Sequence, residues 1–150
     1  MKKIDTPNYI LSVLSINPYH EYTPVQVQKL FFLIDKMILM KNKNEKFNFI
    51  PYHYGPYDKQ VYLELSNLSL SGKIDIRLNK KNGYRLYKLS QSIIPEARKS
   101  LEETFGDTEI TNIRKLNDFV ISKGFNELIS SIYEKFPEME ENSIFKRVSQ

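Results

Sequence analysis

Thr23-Pro24-Val25-Gln26 marks a helix start, and the apolar pattern behind it constrains everything else in the chain. A threonine and a glutamine three residues apart can satisfy each other's backbone donors, and proline fits the first helical position. Val27, Leu30, Phe31, Ile34, Met37 and Ile38 then recur at three- and four-residue spacing, which predicts a central core helix. It fades in the polar run 41–46.

Other elements fall around it. Thr6 with Pro7 predicts a first helix, with Ile10, Leu11 and Leu14 on one face and Asn17-Pro18 at its end. Residues 47–50 suit a short extended segment. Pro51 and Pro56 then bracket Tyr52-His53-Tyr54-Gly55 and fix a turn. Asp58 is a good cap for a helix carrying Val61, Tyr62, Leu65 and Leu68, and Gly72 suits its left-handed end. Ile74, Ile76 and Leu78 alternate as a strand does. Asn82-Gly83 predicts a tight hairpin with positive φ at both positions, and 84–89 is the return strand. Leu86 and Leu89 fall on opposite faces of that strand. Helices are expected over 94–105, 110–122 and 126–136, with a last turn over 143–148 capped by Asn142.

Helix, helix and basic hairpin in that order predict an α+β, mainly helical protein. Its winged helix-turn-helix-like core would span 1–90, and a C-terminal helical extension, 91–150, would pack on it as one unit. At 150 residues the chain is long enough for a real core. It has no cysteine, which excludes disulfides and thiolate chemistry and suits a reducing cytoplasm. The best apolar run, 30–40, is broken by Asp35 and Lys36, and Met1-Lys2-Lys3 has no apolar segment behind it. Neither a membrane span nor a signal peptide is expected. Residues 73–99 carry eight Lys/Arg against two Asp/Glu, and 101–141 carry four against ten. Such asymmetry predicts two surfaces with different partners, or two solvated faces of unlike sign.

The hairpin is the first candidate site. Arg77, Lys80, Lys81, Arg85 and Lys88 would meet a phosphate backbone, although exposed hairpins also carry lysine to stay soluble. The preceding helix offers Lys59, Gln60 and Asn67 on an outward face that also holds Glu64 and Ser71. Gln and Asn can read adenine edges, but no arginine is present to read guanine. Tyr52, His53, Tyr54 and Tyr57 could form a partner pocket, stack on a base or simply cover the core. The two histidines, His20 and His53, have no metal-ligand spacing. No Gly-rich phosphate loop exists, and Asp107 and Glu109 read more easily as a helix start than as a metal pair. No catalytic residue, metal or cofactor is expected.

Residues 49–57, Phe-Ile-Pro-Tyr-His-Tyr-Gly-Pro-Tyr, lead into a helix ending Leu68-x-x-x-Gly72-x-Ile74. This resembles the Tyr-Gly-Pro block of uncharacterised bacterial and archaeal YwgA-like proteins. Residues 132–138 look like the Tyr-Lys-Tyr-Pro-Glu block near their C-termini. More distantly, residues 29–34 with the Tyr-Gly-Pro block resemble the Panacea domain of antitoxins. The resemblance implies a winged-helix-like fold and a place among regulators or toxin-neutralising proteins. The expected function is thus a cytosolic, non-enzymatic regulatory module that binds duplex DNA through wing and preceding helix, as a homodimer. Helix 110–122 or 126–136 would supply the dimer surface. The alternative is a protein-binding module that holds a toxin or a defence-associated partner.

Overall fold

The capping box at Thr23 is formed in the computed structural model, which describes residues 2–145. The Thr23 hydroxyl accepts the Gln26 N–H at 3.2 Å, and Gln26 Oε1 accepts the Thr23 N–H at 3.0 Å. They start helix α2, Pro24–Met37, whose residues 27–35 are all buried. Around it lie α1 (Thr6–Leu14), α3 (Lys59–Leu70), α4 (Ile94–Thr104), α5 (Asp107–Ser122) and α6 (Phe125–Lys135). Two antiparallel pairs, β1 (Ile50–Tyr52) with β2 (Gly55–Tyr57) and β3 (Ile74–Leu78) with β4 (Arg85–Leu89), complete an α+β, mainly helical fold. No helix among the described residues is long and apolar enough to cross a membrane.

One apolar cluster runs through all of it. α1 packs on α4 and α3, and α2 packs on α5 and β2. The halves 1–90 and 91–150 therefore share a core. The rings of Phe47 and Phe49 stand edge-on to Phe31 and Phe32 of α2, and Phe136, just beyond α6, meets Phe32 from another side. Asp35 brings the chain back after α2: its carboxylate accepts the N–H groups of Lys46 and Phe47 at 3.3 and 3.1 Å. Burial pushes that carboxyl up to about 7 against the pull of those two donors.

Several expectations need correction. The first helix is capped by Asp5, not Thr6, because the carboxylate reaches the Asn8 N–H at 2.9 Å. Residues 38–58 separate α2 from α3 and contain a 3-10 turn and the β1–β2 hairpin. A helix-turn-helix joins its helices by about 3–4 residues, so that tight unit is absent between α2 and α3. Asn82-Gly83 does not form a two-residue turn. Gly83 alone has positive φ, +74°, and its N–H closes on Asn79 O at 2.8 Å. The Asn79 and Asn82 side chains accept the Lys81 and Tyr84 N–H groups, so a wider loop is held by its own asparagines. α5 starts at Asp107, where Glu109 turns back to accept the Gly106 N–H, as its reading as a helix start anticipated. Residues 143–145 are not helical, and 146–148 of the expected last turn lie outside the described residues. The apolar stripes of α5 and α6 are buried within the chain through Ile113, Val120, Leu128, Ile129 and Ile132, so a dimer contact by helix 110–122 or 126–136 would have to use their outer faces.

Gly72 behaves as expected. Its φ is +77°, and Lys73 N–H to Leu68 O with Gly72 N–H to Ser69 O close α3 in a left-handed cap. Leu86 and Leu89 are both buried although they point to opposite faces of β4, while Asp75 and Arg77, on the Leu86 face of the sheet, stay exposed. Phe31, fully buried against Tyr9 and Phe47, sits at the centre of the assembly. Truncating it to alanine should cost about 3–5 kcal/mol in equilibrium urea denaturation. A midpoint close to wild type would show that the α2 stripe does not carry the core.

Candidate functional site

The aromatic hairpin is only three residue pairs long, too short to be stable alone. Its central pair, Pro51 opposite Pro56, makes no ladder bonds and turns its carbonyls outward, where Asn142 Nδ2 donates to that of Pro51. α2 fastens the rest. Gln28 Oε1 accepts the Asp58 N–H at 3.0 Å, and its Nε2 donates to the Asp58 carbonyl at 2.9 Å. Lys29 Nζ donates to the Pro56 carbonyl at 2.9 Å. Asp58 also caps α3 through the Gln60 N–H and accepts the Asn48 N–H, so one residue ties four segments together. From the other side, Ile144 N–H donates to His53 O at 3.0 Å, and Tyr133 OH donates to the Ser143 hydroxyl that in turn donates to His53 O. The two sequence blocks 49–57 and 132–138 therefore meet in space, with Gly55 lying over Lys29 and Tyr133.

The four aromatic candidates divide. His53 stacks on Tyr52, Tyr52 on Tyr57, and the row continues through Tyr62 to Tyr87 of the wing. These rings brace hairpin, α3 and β4 against one another. Tyr54 points elsewhere, edge-on to Phe125. It lines a groove of about 610 Å³ between the start of α2 (Pro24, Val25), the wing tip (Asn82, Tyr84) and the start of α6 (Phe125, Leu128). The lining is mostly apolar, with Lys123 at its edge. Tyr54, Tyr84 and Phe125 remain 44%, 59% and 41% exposed there. Sequence reasoning missed Tyr84 and Phe125 as site residues. The signal was available in part, since Tyr84 follows Gly83 at a loop and Phe125 follows Gly124, where large apolar residues have little reason to sit.

The expected nucleic-acid contacts are not brought onto one face as a set. Arg77 is held by Glu21 through two bonds, at 2.8 and 3.0 Å, which pull the Glu21 carboxyl below its usual range. Lys88 is half-buried beside the same carboxylate. Gln60 donates its amide to Glu64. Lys59 and Asn67 are exposed on α3, but Leu63 and Leu70 share the outward side at 51% and 87% exposure. Lys80, Lys81 and Arg85 do project at the wing tip, and none of them forms an ion pair among the described residues. Among those residues no group of His, Cys, Asp and Glu gathers to hold a metal.

Two tests follow from the tether. Gly55 has φ +94°, while a Cβ there would lie 3.5 Å from Tyr133 and 3.6 Å from Lys29, ordinary contact distances. The cost of Gly55→Ala is therefore backbone strain, about 1–2 kcal/mol, read by urea denaturation. A neutral or stabilising effect would show that the hairpin relaxes freely. Burial pushes Lys29 down to about 7 from an ordinary value of about 10.4. Between those values the unfolded chain holds the extra proton, so the contribution of Lys29 to stability improves as pH rises from 7 to 10. Wild type should gain stability relative to Lys29→Met across that window. A difference independent of pH would mean that water reaches the amine.

Comparison of the chain with protein-family models, with curated proteins and with solved structures finds no match. The functional reading rests on the residues of the site itself.

Proposed function

We propose that this chain is a non-enzymatic binding module that holds a segment of a partner protein in the groove between wing tip, α2 and α6, in the manner of an antitoxin or a defence-associated partner. The observation that carries this reading is the groove: three partly exposed rings, Tyr54, Tyr84 and Phe125, surround an apolar hollow large enough for several side chains. Aromatic residues kept at a concave surface are what protein recognition uses as anchors. Lys123 in the groove lining is paired with Glu127, but the wing loop that supplies Asn82 and Tyr84 also carries the exposed Lys80, Lys81 and Arg85, which favour an acidic partner.

Those cations also favour a second reading. A winged-helix-like regulator would set the wing on a DNA backbone, and the free wing tip suits phosphate. The outward leucines of α3 and the commitment of Arg77 to Glu21 weigh against base readout by the preceding helix.

A pull-down from native lysate, with and without nuclease, separates the two when run on three proteins. Wild type should retain a partner after nuclease treatment. The double variant Tyr84→Ala/Phe125→Ala should lose it by about tenfold or more. Capture that vanishes with nuclease, together with a log affinity–log salt slope for duplex DNA that falls by about 2.7 in Lys80→Ala/Lys81→Ala/Arg85→Ala, would overturn the protein-binding reading and establish the wing as a DNA contact.

A further inference from the structure

The open edge of the wing lies beside the groove. Tyr22 forms an isolated bridge to Tyr87 of β4, with both N–H···O bonds at 2.8–2.9 Å. Tyr87 therefore directs its backbone groups away from β3. By the alternation of an antiparallel ladder, Arg85, two residues nearer the tip, presents its N–H and C=O along the same edge. The residue that would continue the bridge opposite Arg85 is Pro24. It lacks an N–H and has already turned into α2. Among the described residues no strand or bridge continues along β4 past Tyr22, and the space left there is bounded by Pro24 and Tyr84, two residues of the groove wall.

We infer that the partner segment binds as an added β-strand, extended along β4 and hydrogen-bonded to the main chain of Arg85, as an acidic peptide whose alternate side chains are apolar. This rests on the protein-binding reading above and specifies how the groove is used. A two-residue period places every second side chain on one face, toward the rings of Tyr84 and Phe125. The intervening side chains lie on the Arg85 face of the edge, where the guanidinium is exposed, bonded to the Tyr87 hydroxyl and without an ion-pair partner among the described residues. Main-chain pairing supplies affinity and the rings supply selectivity, the division of labour seen in strand addition. The existing Tyr22 bridge shows that this edge of β4 already accepts a neighbour.

The test uses the whole chain and a display library of random twelve-residue peptides. Selected peptides should alternate apolar residues with Asp or Glu. In the complex the Arg85 amide should become protected from hydrogen exchange, and N-methylating alternate amides of the peptide should weaken binding by about tenfold. Arg85→Ala, which removes the charge but keeps the N–H, should weaken binding in a salt-dependent way. Arg85→Pro, which also removes the edge donor, should weaken it further, with the peptide methylation series standing in if that variant does not fold. Peptides that bind, depend on Phe125 and yet tolerate methylation with the Arg85 amide unprotected would overturn strand addition while leaving the groove as a protein site. A library that yields no peptide dependent on Tyr84 or Phe125, or a preference for oligonucleotides over every peptide, would overturn both.

Discussion

Two adjacent side chains on the central helix, Gln28 and Lys29, tie a hairpin to the core that is too short to stand alone. The hairpin around Gly55 has three residue pairs, and the middle one, Pro51 opposite Pro56, makes no ladder bonds. The buried amide of Gln28 takes both backbone groups of Asp58, and the buried amine of Lys29 takes the carbonyl of Pro56. Burying these polar groups without partners would be costly, so the hairpin is required by α2 as much as α2 is required by the hairpin. Asp58 then passes the constraint to α3 as its cap.

The groove follows from that arrangement. Once the hairpin is fixed, His53, Tyr52 and Tyr57 stack toward α3 and the wing, and Tyr54 is left facing α6. The groove is then closed by Phe125, placed by the helix start at Gly124, and by Tyr84, placed by the asparagine-held loop of the wing. Basic charge at the wing is divided in the same way. Arg77 locks the base to Glu21, while Lys80 and Lys81 are exposed at the tip and Arg85 lies exposed against the Tyr87 hydroxyl.

Much of the fold was legible because its signals are local. Thr23 with Gln26, Asp58 and Gly72 each act within a few residues, and each does in the structure what its residue type suggests. The errors have equally physical sources. Asn82-Gly83 has the chemistry of a tight turn, but Asn79 offers a second side-chain cap and widens the loop. Asp5 displaced Thr6 as a cap because its carboxylate reached the helix first. Less of the site was legible. Leu30 to Leu33 cover every face of a helical turn, so α2 had to be enclosed and its polar residues Gln28, Lys29 and Asp35 had to find buried partners. That inference was open to the sequence. What was not open is which backbone they meet, since Gln28 and Asp58 are joined only by tertiary folding. The pairing of Arg77 with Glu21 is of the same kind.

The claim on which the account depends is that residues 56–58 are pinned to the central helix before any ligand arrives. Native-state hydrogen exchange at the Asp58 amide measures this directly. Bonded to the buried oxygen of Gln28, it should exchange as slowly as the core amides of α2 and through the same global opening. Exchange at the rate of an open loop, while the α2 amides stay protected, would contradict the account.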